Sequence, residues 1–223
     1  MLWLLEARME IQKAKEQIIS VGKKLTASGA IGALEGNISC KVDDKIIITP
    51  SGMSKEDLLP EHLSVMDLEG NWIDGPFKPS SESKMHVAIY KCRDDVNAVI
   101  HTHSPYATAF AIANEPIDLR CSAEFAIFFK HVPVLPYGTP GTEEIYKGID
   151  KELEEYDTIL LQNHGVVSVG QSLMNAFGKS ATLESVLKTY TINRQLFPDR
   201  SFDIPKSELE KLWEIGASKR GRH

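Results

Sequence analysis

The chain has 223 residues and a formal net charge of -6 at pH 7, with 42% hydrophobic and 25% charged residues. This length suits one domain with a substantial core, and the acidic balance gives no electrostatic reason to expect a nucleic acid partner. Charged residues interrupt the apolar start of the chain from Glu6 onward, too early for a secretory signal or a membrane span. Three cysteines, at 40, 92 and 121, show no CxxC spacing, so we expect free thiols and a cytoplasmic protein.

The first third of the chain predicts a helix followed by two strand hairpins. Apolar residues recur at helical spacing from about Leu4 to Ser28, and Gly29 fits a C-cap. Two pairs of short apolar segments then flank tight turns, namely 37–42 with 46–49 and 63–68 with 72–73. Short strands joined by such turns predict antiparallel pairing.

The remainder of the chain alternates predicted helices and strands. Ser81 is placed to cap a helix from Glu82 to about Cys92. Further helices are predicted from Pro105, from Gly141 to about Tyr156, and from Ser172 to about Phe197. Strands are predicted near 96–101, 132–135, 158–161 and 166–169. We therefore expect a single-domain α/β fold over residues 1–223, with a largely antiparallel central sheet between two helical layers.

Two histidines stand at the end of an apolar strand. His101 and His103 are separated by one residue, and side chains at i and i+2 of a strand project to the same face. Both imidazoles are therefore able to reach one transition-metal ion. The same pattern also fits two core or surface histidines, so the pair alone leaves both interpretations open.

His164 and Glu82 each admit a structural and a functional interpretation. His164 lies in an Asn-His-Gly turn between apolar strands, where a solvated turn histidine is the simpler interpretation. Glu82 stands at a helix start, where a carboxylate complements the helix dipole. Glu82 also suits contact with a metal or a substrate proton, but the local sequence favours capping. His86, one helical turn later, fits a surface position better than a place in the same site.

Small, hydrogen-bonding residues form three candidate anion-binding loops. These are Gly36-Asn37, Ser51-Gly52 and Ser80-Ser81. Backbone amides and hydroxyls in such loops bind phosphate, although most loops of this composition are only turns. No GxxxxGK or GxGxxG sequence occurs, so nucleotide binding lacks its usual sign.

Five short motifs follow one another along the chain. They are GNIS at 36–39, TPSG at 49–52, PSSE at 79–82, HTH at 101–103 and NHG at 163–165. Each is weak alone, but the ordered set resembles the class II sugar aldolase family. Its members include L-fuculose-1-phosphate aldolase, to which the resemblance is closest, L-ribulose-5-phosphate 4-epimerase and methylthioribulose-1-phosphate dehydratase. The resemblance spans nearly the whole chain and favours the functional interpretation of each motif.

The resemblance implies a site built around a Zn²⁺ ion. Its ligands would be His101, His103 and His164, with Glu82 close to the ion and displaceable, which leaves the open positions of a catalytic zinc. The phosphate of the substrate would contact Gly36, Asn37, Ser51, Gly52, Ser80 and Ser81. The family also implies a homotetramer whose active sites lie at subunit interfaces.

The implied reaction is cleavage of a ketose 1-phosphate, such as L-fuculose 1-phosphate, to dihydroxyacetone phosphate and an aldehyde. Glu82 would transfer a proton to the enediolate that zinc stabilises. The epimerase resembles the aldolase but carries aspartate at the position of Glu82, which favours an aldolase here. The dehydratase shares the HTHS sequence at 101–104 and stays an alternative. Adducin-like interaction modules lack the histidine set that this chain keeps.

Two positions depart from the fuculose-phosphate enzyme. A tyrosine of the neighbouring subunit donates a proton to the aldehyde oxygen in that enzyme, and Ser122 stands at its place here. Glu124 is the nearest ionisable residue, so we expect it to take over the proton role. The aromatic wall of that enzyme's aldehyde pocket falls at Pro140. Both changes affect the half of the site that selects the aldehyde.

Overall fold

A computed structural model describes residues 2–200 and 203–220. The helices are α1 (Leu2–Ala27), α2 (Ser83–Cys92), α3 (Pro105–Ala113), α4 (Ala123–Phe128), α5 (Ile149–Leu153), α6 (Leu173–Leu196) and α7 (Lys206–Arg220). The strands are β1 (Asn37–Val42), β2 (Lys45–Ile48), β3 (Ser64–Asp67), β4 (Trp72–Asp74), β5 (Ala98–Thr102), β6 (Val134–Leu135), β7 (Thr158–Leu161) and β8 (Gly165–Gly170). None of the helices in these ranges has the length and apolar character needed to cross a bilayer.

The eight strands form one sheet in the order β4-β3-β2-β1-β5-β8-β7-β6. Only β6 and β7 pair in parallel, and the other neighbours are antiparallel. The predicted α/β class with a largely antiparallel sheet is therefore confirmed. Both predicted hairpins are present, as β1–β2 and β3–β4.

Helices cover both faces of the sheet because successive strand residues alternate in direction. Ile46 and Ile48 of β2 belong to a core with α2 and α5, whereas Ile47 between them belongs to a core with α1 and α6. A third cluster places α3 and α4 against the strands on the α6 side. The molecule thus has the expected layer order of helices, sheet and helices.

Three features differ from the sequence prediction. The segment from Gly141 to Tyr156 is not one helix, because Gly148 has a φ of +86° and separates a 3₁₀ turn at Glu143–Tyr146 from α5. Ser81 does not cap α2, which begins at Ser83 without any side-chain cap hydrogen bond. Helices α4 and α7, which pack against each other, were not predicted.

The antiparallel topology gathers the motifs at one edge of the sheet. Strands β1 and β8 both lie next to β5 and run against it, so both begin where β5 ends. Strand β2 runs against β1 and therefore ends at the same edge. This edge receives the loop before β1, the loop after β2, the end of β5 and the turn before β8.

Candidate metal centre and its cavity

Three histidines converge at this edge of the sheet. Nε2 of His101 lies 2.9 Å from Nε2 of His103 and 3.0 Å from Nε2 of His164. His101 is in β5, His103 follows the strand, and His164 is in the turn between β7 and β8. Their nitrogens lie within 4.8 Å of one another, so the three side chains form a group that could bind a metal ion. The simpler interpretation of His164 as a solvated turn residue is not what the fold shows.

Glycine at 165 allows the turn of His164 to close onto the other two histidines. A Cβ atom at this position would lie 2.5 Å from the carbonyl oxygen of Thr102 and 3.0 Å from the ring of His103. Any larger residue would push the two chain segments apart. Asn163, in the same turn, has a φ of +57°, a conformation that asparagine tolerates better than most residues.

The fold also determines which nitrogen of His101 faces the centre. Its Nδ1 lies 3.0 Å from the carbonyl oxygen of Val166, so Nδ1 carries the proton and Nε2 keeps a free lone pair. Burial lowers the pKa of His101 to about 3, and burial together with the neighbouring His164 lowers the pKa of His103. Neutral imidazoles are the form that binds metal ions.

Glu82 completes the group with a carboxylate. Its Oε1 lies 2.8 Å from Nε2 of His164, and its Oε2 lies 3.4 Å from Nε2 of His101. Burial alone would raise the pKa of Glu82, but hydrogen bonds from His164 and Asn37 and the favourable electrostatic interaction with the His101 and His164 rings outweigh it and hold the pKa below its ordinary value. Three imidazoles and an ionised carboxylate are a donor set that suits zinc or a similar divalent transition metal.

A cavity of about 270 Å³, here called the histidine cavity, opens onto this group. Its walls include all six predicted phosphate-binding residues together with Glu82, His103 and His164: Gly36, Asn37, Ser51, Gly52, Ser80 and Ser81. Two backbone hydrogen bonds hold the serine loops side by side, from Ser80 N to Thr49 O and from Ser51 N to Lys78 O. Pro140 also lines this cavity.

Two residues of this region were not recognised from the sequence. Lys55 is 2% exposed, lines the histidine cavity, and donates from Nζ to the carbonyl oxygen of Leu34 over 2.9 Å. Its only sequence signal is its place three residues after Gly52. His86 was predicted on the surface, and that prediction is wrong. It is fully buried and hydrogen-bonds to Asn37 and Ser39, for which the signal is its spacing of four residues from Glu82.

Glu124 lies in a different part of the subunit. It is in the first turn of α4, and Ser122 donates a hydrogen bond of 3.3 Å to its Oε2. Both residues line an opening of about 780 Å³ between α4 and α6, here called the α4–α6 groove, with Tyr190 and Arg200 on its walls. Within one subunit, Glu124 is therefore not among the residues that line the histidine cavity.

The fold and the site define an α/β protein in which a group of three histidines that could bind a metal ion lies beside a polar cavity. Residues 16–191 match the family described as Class II Aldolase and Adducin N-terminal domain, and the chain belongs to this family. Class II aldolases use a divalent metal, and with its histidine group this chain is a metal-dependent lyase of that type.

Similar proteins carry aldolase names. The chain is 32% identical to 5-deoxy-D-ribulose 1-phosphate aldolase of Bacillus thuringiensis serovar kurstaki over 92% of this chain and 95% of that protein. It is 37% identical to L-fuculose phosphate aldolase of Methanocaldococcus jannaschii over 80% of this chain and 96% of that protein. A solved structure of L-fuculose 1-phosphate aldolase superimposes with a TM-score of 0.82 at 33% identity, covering 91% of this chain and 95% of the other.

Proposed function

We propose that this protein is a zinc-dependent aldolase that cleaves a ketose 1-phosphate, such as L-fuculose 1-phosphate, to dihydroxyacetone phosphate and an aldehyde. One observation carries the proposal. The ionised Glu82 carboxylate lies against three converging histidines, in a cavity that is also walled by the serine and glycine loops. The names of the two similar aldolases, which both refer to sugar phosphates, support this substrate class.

In this proposal His101, His103 and His164 hold the ion. A divalent ion held there would supply positive charge to offset the negative charge that develops on the substrate when the C3–C4 bond of the ketose breaks. The hydrogen bond from Nδ1 of His101 to Val166 keeps the imidazole in the tautomer and orientation that such a role requires.

Glu82 handles the proton of the reaction. Cleavage removes a proton from the C4 hydroxyl, which becomes the aldehyde oxygen, and adds a proton to C3 of the dihydroxyacetone phosphate. Glu82 is ionised, lies 10% exposed at the cavity wall, and is held by Asn37. A carboxylate in this position is able to carry the proton to C3 and to remove it in the synthetic direction.

The loops of the histidine cavity bind the phosphate of the substrate. The hydroxyls of Ser51, Ser80 and Ser81 and the backbone at Gly36 and Gly52 line one wall. Such groups donate hydrogen bonds to an anion and fix the orientation of the reacting carbons. Lys55 in the same wall adds a positive charge.

Assembly and location are part of the proposal. We expect a homotetramer in the cytoplasm, with Glu124 of one subunit reaching the aldehyde side of its neighbour's site. The separation of Glu124 from the histidine cavity within one subunit agrees with such an arrangement. A molecular mass measured by light scattering tests the tetramer directly.

Product release tests the reaction itself. Purified protein is incubated with L-fuculose 1-phosphate, 5-deoxyribulose 1-phosphate and methylthioribulose 1-phosphate, with and without a chelator. We expect dihydroxyacetone phosphate to be released, to disappear with the chelator and to return when zinc is added back. A matched variant, His131→Gln, changes a histidine that contacts Tyr156 outside the site and should behave as the unchanged protein.

Other products would support the alternatives. Loss of water to give a diketone identifies a dehydratase, and an isomeric pentulose phosphate identifies an epimerase. A protein that holds zinc but releases no product from any of these compounds would contradict the aldolase proposal.

A further inference from the structure

A buried chain of polar side chains runs from Glu82 into the core of the protein. Nδ2 of Asn37 donates to Oε2 of Glu82 over 2.7 Å, and Oδ1 of Asn37 lies 2.5 Å from Nε2 of His86. Nδ1 of His86 lies 2.7 Å from Oγ of Ser39, which in turn lies 2.7 Å from the hydroxyl of Tyr90. Apart from Glu82, each member of the chain is at most 4% exposed, and His86 and Ser39 are fully buried.

This chain of hydrogen bonds forms because four residues of a helix and two residues of a strand advance by nearly the same distance. Glu82, immediately before α2, is followed at four-residue steps by His86 and Tyr90 within the helix, a rise of about 6 Å per step. Asn37 and Ser39 are two residues apart on the same face of β1, a step of about 6.7 Å. The two sets therefore interleave, with each strand residue between two helix residues.

Only one order of donors satisfies every member. The ionised Glu82 is an acceptor only, so Asn37 must present its NH₂ group to it and its Oδ1 to His86. His86 must then carry its proton on Nε2 and accept at Nδ1 from the Ser39 hydroxyl. With the Ser39 proton committed, Tyr90 is the donor to Ser39.

Every donor in this chain thus points towards Glu82. Burial lowers the pKa of His86 to about 4, so the ring is neutral at ordinary pH and offers one donor and one acceptor nitrogen. Aligned hydrogen bonds of this kind strengthen one another in a buried environment.

We propose that His86 is a positioning residue for the reaction, which fixes the amide of Asn37 so that Glu82 is held by Oε2 while Oε1 faces His164. Without the Nε2–H donor, the Asn37 amide is free to turn its oxygen towards the carboxylate, and Glu82 loses its fixed place beside the cavity. The catalytic consequence rests on the proposed function, since it requires Glu82 to be the proton carrier. The order of the hydrogen bonds does not depend on the proposed function.

Nitrogen NMR of the imidazole rings tests the order of donors without substrate. The full chain is labelled with ¹⁵N-histidine, and the His86 signals are assigned from their loss in a His86→Gln variant. We expect His86 as the neutral tautomer with its proton on Nε2. A proton on Nδ1, or a charged ring at pH 7, would overturn the proposal.

Kinetics of a matched pair of variants tests the consequence for turnover. Glutamine at position 86 places an amide NH₂ near the site of Nε2, whereas asparagine places its polar atoms near Nδ1 and cannot reach Asn37. We expect His86→Asn to lower kcat by about 10- to 100-fold, with KM and bound metal unchanged, and His86→Gln to recover most of the loss.

A double-mutant cycle separates positioning from a general structural role. If His86 acts through Glu82, the His86→Asn change should have little further effect in a Glu82→Gln background. Equal losses in both backgrounds would show that His86 does not act through Glu82. If the unchanged protein cleaves no ketose phosphate, the proposed function falls, and the tautomer of His86 still decides the hydrogen-bond order.

Discussion

The histidine cavity and the α4–α6 groove differ in how completely one subunit builds them. In the cavity, Glu82 is bonded to Asn37 and His164, and His101 to the backbone of β8. In the groove, Glu124 is bonded to Ser122 of its own helix start, beside an opening of about 780 Å³ compared with about 270 Å³ for the cavity. The residues proposed to bind the metal and the phosphate thus lie together at one sheet edge. Any catalytic role of Glu124 depends on a second subunit.

The largest effect is expected from His164→Gln, which removes one of three converging nitrogens from the cavity. Loss of one ligand should abolish tight metal binding and lower turnover by roughly a thousandfold or more. Metal content per chain and dihydroxyacetone phosphate release measure both effects. His131→Gln serves as the control, and a His164 variant that keeps metal and activity would mean that the three histidines do not share an ion.

Glu82→Gln tests the proton step in the same cavity. Glutamine is nearly the same size but cannot carry the proton, so we expect kcat to fall by about 10²- to 10⁴-fold while the metal stays bound. The control is Glu61→Gln, at an exposed position away from the site. Retention of kcat in the Glu82 variant would remove Glu82 from the mechanism.

Lys55→Met tests whether the positive charge of Lys55 contributes to phosphate binding in the histidine cavity. Lys55 is the one lysine or arginine among the described residues that line the cavity, and its Nζ is bonded to the carbonyl of Leu34. Loss of a charge-assisted contact to phosphate should raise KM about tenfold and change kcat less. Lys84→Met removes an exposed lysine that faces Glu143 at 3.8 Å and is the matched control. Equal KM values for both variants and the unchanged protein would place Lys55 outside phosphate binding.

The sequence predicts the sheet edge well because its signals are local. Short apolar segments bounded by turns define β1, β2 and β5, and the β1–β2 hairpin is local, whereas the pairing of β1 with β5 joins distant segments of the chain. The histidine and serine motifs sit at those ends, so their convergence follows from the topology. Membership of the class II aldolase family, first indicated by the ordered motifs, agrees with that convergence.

Local sequence patterns do not predict the buried chain of polar side chains that runs from Glu82 to Tyr90. His86 and Ser39 are polar residue types that are usually exposed, and their burial is favourable only because each is paired with a residue of another element. Helix α4 has only six residues, too few for a helical period to appear in the sequence. Gly148 interrupts the helix predicted from Gly141 to Tyr156 because it has a positive φ, which the surrounding charged residues do not indicate.

An effect no larger than that of Lys55→Met is expected from Glu124→Gln, and it decides whether the two regions work together. We expect kcat of cleavage to fall about tenfold with metal content unchanged, because a group that takes the proton of the C4 hydroxyl contributes at least that much when it is positioned by a neighbouring subunit. Glu115→Gln, at an exposed position before α4, is the control. Unaffected turnover in the Glu124 variant would end its proposed proton role.

Mixing the two defective chains makes this test specific to the subunit interface. Glu82→Gln and Glu124→Gln chains are unfolded and refolded together, so that hybrid oligomers form. If each site takes Glu82 from one subunit and Glu124 from its neighbour, some sites of a hybrid contain both residues, and turnover should rise above that of either variant alone. If no site combines Glu82 of one subunit with Glu124 of its neighbour, mixing recovers nothing. The cavity and the groove would then belong to separate functions, and the aldehyde side of the reaction would need another donor.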